Sequence, residues 1–458
     1  MTKPPIKRIK STRIERGLSV MGIGLKTGIL ASKFVIQKVA GAQVNREMQI
    51  LAGVEIMVKE LDKLKGTFQK AGQFLGVLGE FFFPPEVNQI LQKLQAQSTP
   101  LDWKQIEKVL VKNLGKEKLA LIEIDKNPYA AASLGQVYRA KYQGKDIVLK
   151  VQYPGVESSI KSDIATLKTI FSLTKILPES EAFHEIFEEI KTMLIRETDY
   201  RKELESMEKI RALLPPQGPW IIPQVYPELS TKRILAMEFL EGVPFNDPTV
   251  QVLPQARRNK LGYFMLDLLF KEIFHWHMIQ SDAHPGNYLV QVGEIEDKII
   301  LLDYGAVRQF SNAFIENFRK LSQATLDNIP EKVVKYGCAL EYLRDTDTLE
   351  VNQMFFDICK KALTGFLKES ESPSLDGSIW TQDDFHWAES EVVTHMAALA
   401  KSAIFKTRMR PPPPEAIFLD RKLAGIFSIL SQMKVIYGPG KLLRSYLDWP
   451  HTAESRSR

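Results

Sequence analysis

The chain has 458 residues, enough for one large core or two, and its 44% hydrophobic and 25% charged content is that of an ordinary folded protein. A net charge of +6 gives no ground for a nucleic-acid partner at this length, and Cys338 and Cys359 alone point to a reducing compartment rather than a disulfide framework. No uncharged apolar run reaches the roughly eighteen residues a transmembrane helix needs, so none is expected.

Residues 1–16 carry Lys3, Lys7, Arg8, Lys10, Arg13 and Arg16 against Glu15. They read as a solvated arm, with a transit segment or a surface for anionic lipid as alternatives. The small and apolar residues that follow, Gly24 and Gly28 among them, suit an amphipathic docking helix, so 1–46 is taken as one region. From residue 47, Ile50, Leu51, Val54, Met57 and Leu61 recur at helical spacing, and Pro84-Pro85 separates two further helices. Residues 47–125 are therefore read as a helical extension. Within it Lys70-Ala-Gly-Gln73 sets a cation and an amide on one helix face, which by itself is a helix with a solvated lysine.

Residues 126–245 read as a first lobe. Ala130-Ala-Ala-Ser-Leu-Gly135 runs as a small-residue loop into a strand, the chain turns at Gly144, and 146–152 returns as a second strand. Strand, turn and strand with a lysine near the end is the nucleotide-binding hairpin of a kinase, with Ile147-Val-Leu-Lys150 in place of Val-Ala-Ile-Lys. A lysine directed inward needs a phosphate or a carboxylate partner; an exposed edge lysine is the alternative. Alanines stand where a kinase loop has glycines, and alanine does not readily adopt positive φ. One long helix is predicted over 179–214, placing Glu197, Tyr200 and Glu203 over successive turns; alone this is a solvated charged face. Residues 225–229 and 233–240 read as strands, the second leaving the lobe as a kinase hinge does. Adenine would there meet backbone near Glu238 and Leu240.

The second lobe, 246–458, opens with an apolar helix over 261–278 that leads into Gln280-Ser-Asp-Ala-His-Pro-Gly-Asn287. Strands are expected over 288–291 and 298–302, so that the second returns Asp303 of Asp-Tyr-Gly beside Asn287. This is the layout of a kinase catalytic loop, in which the first Asp meets the acceptor and the Asn and second Asp hold magnesium on the nucleotide phosphates. A polar turn joined to a hairpin is the plain alternative. His275 and His277 alternate on a predicted helix and point different ways, so no metal is assigned to them. Only helices are expected beyond Arg308: 314–326, 330–344, 348–366, 389–404 and 415–437. No Ala-Pro-Glu-like end to an activation segment is evident.

Lys70-x-Gly-Gln73, Pro84-Pro-Glu86, the alanine-rich loop, Lys150, Glu197-x-Asp199, Asp282-x-x-x-x-Asn287 and Asp303-Tyr-Gly305 occur in one order. Over roughly residues 64–430 they resemble the UbiB family of atypical kinase-like proteins, which act in ubiquinone biosynthesis. The resemblance implies an α+β, bilobal, protein-kinase-like fold with a small β-sheet N-lobe, a helical C-lobe and an added N-terminal helical extension. It implies ATP and Mg2+, with Ala130, Ala131, Ala132, Ser133, Gly135, Lys150, Glu203, Glu238 and Leu240 at the nucleotide and Glu203 orienting Lys150. Asn287 and Asp303 would hold the metal, and Asp282 would orient or deprotonate the acceptor. Lys70 and Gln73 would dock on Glu197 and Asp199, covering the place where a peptide enters a true kinase. ATP hydrolysis coupled to a lipid-like or quinone-precursor molecule is then favoured over protein phosphorylation. A cytoplasmic protein is expected, or a mitochondrial one in a eukaryote, with peripheral contact to anionic membrane compatible with the basic arm. Two departures stand out: Ala283 replaces the family's first proline, and Gln280 replaces its histidine, a loss expected to loosen Asp282 without removing it; Tyr304 for phenylalanine is milder. A nucleotide-binding pseudokinase scaffold and a small-molecule phosphotransferase of the aminoglycoside type are the alternatives.

Overall fold

The computed structural model describes residues 101–132, 134–174, 181–367, 379–381, 384–406 and 412–448. Lys70, Gln73 and Ser133, with the predicted basic arm and most of the helical extension, lie outside them. The chain divides into two compact units, which among the described residues comprise 101–212 with 223–240, and 213–222 with 241–448. The passage between them falls at 240/241 rather than the expected 245/246, and residues 213–222 belong to the second unit.

The first unit is built on an antiparallel sheet. Strands β1 (Ile122–Ile124), β3 (Gly135–Tyr142), β4 (Lys145–Gln152) and β6 (Ile234–Glu238) lie side by side in the order β1-β3-β4-β6, with β2 (Ala130–Ala132) pairing β3. The alanines expected in a loop are thus extended strand, Ala130 opposite Val137 and Ala132 opposite Gly135. Between β3 and β4, Gln143 and Gly144 both take positive φ, 51° and 76°, the left-handed pair that a two-residue hairpin turn requires. Ile147, Leu149 and Val151 of β4 are fully buried because this strand is central, and they share a core with Tyr138, Ile234 and Ala236. Helix α1 (Trp103–Leu119) covers that core with Ile106, Val109, Leu110 and Leu114. It is N-capped by Asp102, which accepts from the Lys104 amide at 2.8 Å. Helix α2 (Val156–Thr174) follows β4.

The single helix predicted over 179–214 is two, α3 (Glu181–Glu197) and α4 (Tyr200–Leu213). The interruption is chemical: the Thr198 hydroxyl turns back to the Ile195 carbonyl at 2.7 Å, and the Asp199 carboxylate accepts from the Arg201 amide at 3.2 Å, opening the next helix.

In the second unit, a four-stranded sheet runs β5 (Trp220–Ile221), β10 (Lys298–Leu301), β9 (Tyr288–Gln291), β7 (Val243–Pro244). The predicted 288–291 and 298–302 hairpin is present, Leu301 opposite Tyr288, while the parallel addition of β5 to β10 has no counterpart in the sequence reading. Helix α5 (Pro248–Gln251) precedes α6 (Gln255–Phe270), which ends in a π-turn over Lys271–His275 instead of continuing to 278. Strand β8 (Met278–Gln280) then pairs β11 (Val307–Gln309), bracketing the intervening loops.

Helices α7 (Asn312–Leu326), α8 (Pro330–Ala339), α9 (Leu349–Ala362), α10 (Val392–Lys406) and α11 (Pro414–Gln432) take up the rest. A short hairpin, β12 (Trp380–Thr381) with β13 (Asp384–Phe385), and a further helix, α12 (Gly440–Leu447), were not foreseen. Helix α12 is held by Tyr446, whose hydroxyl donates to Asp267 at 2.5 Å and accepts from Lys271 at 2.9 Å. The α+β division expected from the sequence, one sheet-rich unit and one helix-rich unit, is what the chain forms.

Candidate functional site

In the first unit, the antiparallel register sets Lys150 between Val137 of β3 and Leu235 of β6. Its ammonium meets both oxygens of Glu203 on α4, at 2.7 and 3.0 Å, with the two side chains 12% and 3% exposed. Tyr200, one turn earlier on α4, lays its ring 5.2 Å from the same ammonium. The helix is pinned from both sides: Gln152 donates to the Thr198 carbonyl at 3.1 Å, and the Tyr200 amide donates to the Lys232 carbonyl at 3.0 Å. An ion pair this enclosed exists only with matched partners, and the break at 198–199 is what brings Glu203 to Lys150.

Glu197 is buried at the end of α3, whereas Asp199 is grasped by the Arg201 guanidinium through two bonds of 2.9 and 2.7 Å. The same guanidinium holds the Asp199 carboxyl below its ordinary range. Glu197 and Asp199 lie within one turn, but Lys70 and Gln73, expected against them, are outside the described residues.

Gly135 owes its identity to strand packing: a Cβ there would stand 2.3 Å from the Val151 carbonyl oxygen. At the predicted hinge, the Glu238 amide donates to the Gln224 carbonyl at 2.7 Å and its carboxylate accepts from the Gln224 amide at 3.1 Å. Of Glu238, only the carbonyl is then suited to an adenine contact.

In the second unit, two amides converge on one backbone oxygen. Asn287 Nδ2 and Gln280 Nε2 each donate to the Asp282 carbonyl at 2.8 Å. Gln280 accepts in turn from the Tyr288 hydroxyl at 3.2 Å, and Tyr288 accepts from Lys422 at 3.1 Å. Burial, reinforced by Glu272, Asp282 and Asp303, pushes the Tyr288 phenol far up, so it keeps the proton it donates. Lys422 is anchored by Glu272 of the π-turn at 2.7 Å, both side chains only 1% exposed. The expectation that Gln280 would loosen the loop is therefore corrected: its amide does the bracing, as both donor and acceptor.

Ala283 is the other departure, and it makes room for α11, since a Cβ on Gly425 would stand 2.5 Å from Ala283 Cβ and 2.7 Å from its oxygen. One turn before Gly425, Arg421 reaches Asp282 Oδ1 at 2.5 Å. No local pattern announced this contact; the available signal was a pair of cations, Arg421-Lys422, near the start of a largely apolar helix.

The hairpin delivers Asp303 as predicted, the Leu302 amide donating to the Asn287 carbonyl at 3.0 Å. Asp303 Oδ1 accepts from the Gly305 amide at 2.9 Å. Because Asn287 uses its nitrogen on Asp282, its side-chain oxygen is the atom that could serve a metal. An amide oxygen and a carboxylate are hard donors, the set that suits magnesium. Among the described residues no group of three or more His, Cys, Asp or Glu could hold a metal ion. A small donor set fits a metal that takes its remaining ligands from substrate phosphates and water. His275 packs its ring 4.7 Å from that of Tyr446.

Among the described residues no helix is long and apolar enough to cross a membrane. Residues 93–337 match the ABC1 atypical kinase-like domain. The chain is 30% identical over 445 residues to the mitochondrial atypical kinase COQ8B of Danio rerio, covering 93% of this chain and 67% of that protein. It is 30% identical over 448 residues to the mitochondrial atypical kinase COQ8 of Saccharomyces cerevisiae, covering 95% and 85%. In fold it is similar to Rv3197 of Mycobacterium tuberculosis, solved in complex with erythromycin, with a TM-score of 0.59 at 20% identity over 91% of this chain and 97% of that one. The family match and the enclosed Lys150–Glu203 pair agree with the kinase-like layout of strand lysine, catalytic loop and Asp-Tyr-Gly, and the chain belongs to the ABC1 atypical kinase-like family, the UbiB family of its sequence motifs, as an atypical kinase-like enzyme.

Proposed function

We propose that the chain is an ATP- and magnesium-dependent ATPase or phosphotransferase that supports ubiquinone or other isoprenoid-lipid metabolism. The observation that carries this reading is the enclosed Lys150–Glu203 ion pair, the strand-lysine and helix-glutamate pairing with which a kinase meets the α- and β-phosphates of ATP. Asn287 and Asp303 would hold magnesium, which when bound neutralises charge on the phosphate oxygens. Asp282 orients or deprotonates the acceptor, with its loop set by Gln280 and Asn287. The relatives' names, atypical kinases of mitochondria, support the reaction class and the quinone-related setting. The Lys70-x-Gly-Gln73 motif, which in the family implies a covered acceptor side, supports water or a small lipid-like molecule as acceptor in preference to a peptide. The basic residues of 1–16 support peripheral contact with anionic membrane.

The test is magnesium-dependent phosphate release from ATP by the purified full chain, with and without anionic liposomes, beside Asp303→Asn. Release that liposomes raise and Asp303→Asn abolishes is expected. Bound ATP with no release under any condition would leave only a nucleotide-binding scaffold.

A further inference from the structure

The catalytic loop 280–287 contains no lysine or arginine, although the chemistry assigned to it concentrates negative charge around Asp282. The cation that the loop lacks comes from elsewhere in the same unit. Arg421 of α11 places Nη2 2.5 Å from Asp282 Oδ1, with the two side chains 11% and 8% exposed. Its position is not that of a surface side chain free to wander. The next residue, Lys422, is tied to Tyr288 and Glu272, and one turn on Gly425 rests against Ala283. Three contacts along a single turn of α11 thus register the helix on the loop and fix where the guanidinium sits.

We propose that Arg421 is a positioning residue for phosphoryl transfer, locking the Asp282 carboxylate in the orientation in which it meets the acceptor. The proposal rests on the ATP-using reading above. In the transfer, the acceptor oxygen bonds the terminal phosphorus as the phosphorus–oxygen bond to ADP breaks. The electron pair leaves with ADP, and the acceptor's proton goes to Asp282. Asp282 can serve only if its oxygen faces that proton, and a planar, permanently charged guanidinium is suited to holding it there. Misplacement of such a group by about 1 Å costs on the order of 100-fold in rate. The device separates two duties: backbone hydrogen bonds from Gln280 and Asn287 shape the loop, while Arg421 aims the side chain.

The experiment compares Arg421→Ala and Arg421→Lys with the unaltered full chain. It measures kcat and KM for magnesium-dependent phosphate release, affinity for a fluorescent ATP analogue, melting temperature, and the effect of millimolar guanidinium beside equal urea. For Arg421→Ala we expect a fall in kcat of about 100-fold, KM for ATP and analogue affinity within about twofold, and partial recovery with guanidinium but not urea. Arg421→Lys is expected to retain the melting temperature and recover only part of kcat.

An unchanged kcat in Arg421→Ala overturns the proposal, and a raised one shows the pair to be a brake. A loss accompanied by lower melting temperature and no guanidinium recovery assigns Arg421 a structural role alone. Should Arg421→Ala not fold, a well-folded Arg421→Lys at full rate overturns the proposal by itself. Absence of release from the unaltered chain is a different result, since it overturns the ATP-using reading on which this inference rests.

Discussion

Gln280 donates its side-chain amide to the backbone carbonyl of Asp282, two residues further on, at 2.8 Å, and accepts from Tyr288 with its oxygen. The loop is therefore braced by a side-chain amide. Gln280→Ala removes both bonds and is expected to lower kcat for phosphate release about tenfold, with KM for ATP little changed. Gln280→His restores a ring donor and is expected to stay within about threefold of the unaltered chain. Steady-state kinetics on the two variants decide it; equal losses in both would show that the amide is specific to this loop.

The Lys150–Glu203 pair makes a stability prediction as well as a functional one. Glu203→Ala leaves a lysine enclosed without its carboxylate, and breaking a buried pair from one side costs about 3–5 kcal/mol. Urea unfolding should record that loss. The double variant Lys150→Met with Glu203→Leu should recover much of it while showing no measurable affinity for an ATP analogue. Stability and nucleotide binding would then separate, and a double variant that still binds ATP would remove Lys150 from the phosphate site.

Gly425 and Ala283 touch so closely that Gly425→Ala has no space to fill. Overpacking of this kind typically costs about 1–3 kcal/mol, which in a chain of this size lowers the melting temperature by about 1–3 °C. Because the displaced atoms belong to the catalytic loop, kcat should fall with it. A variant that melts lower but turns over normally would show that the loop absorbs the shift.

Asp420, next to Arg421 on α11, accepts from the Tyr342 hydroxyl at 3.0 Å, and burial lifts its carboxyl from 3.8 to about 7. A carboxyl raised on folding binds its proton more tightly in the native state. Its contribution to stability is full below about pH 4 and is lost as the pH rises through about 7. Melting temperatures at pH 5 and pH 8 are therefore expected to fall more for the unaltered chain than for Asp420→Asn. Parallel profiles for the two would show that Asp420 does not carry the slope.

The catalytic hairpin was legible because both its strands are long enough to show apolar runs on either side of a polar turn, and the spacing from Asn287 to Asp303 follows from that hairpin alone. Lys150 was legible for the same reason. Glu203 was reached only through the family's spacing, since a charged residue on a polar helix carries no mark of the partner it will find. The break between α3 and α4 hid inside an unbroken helical period; its local sign was Thr198-Asp199, two residues that compete for backbone bonds and open helices. Short pairings such as Met278–Gln280 with Val307–Gln309 have no period to read. Neither does a two-residue strand like Trp220–Ile221, whose existence depends on β10 being already in place. The Arg421–Asp282 contact spans 139 positions and could be suspected only from the oddity of two cations in a largely apolar helix.

That separation has a consequence for how the protein comes into being. A chain is made from its N-terminus at roughly 5–20 residues per second, so Arg421 is added on the order of 10–30 seconds after Asp282 has left the ribosome's catalytic centre. During that interval the newly made loop has neither the guanidinium that grips its aspartate nor the Lys422 that ties down Tyr288. The contacts that tie the loop to α11 are thus completed late in synthesis, and a chain halted before α11 carries Asp282 and Asp303 without the helix that holds Asp282 and Tyr288.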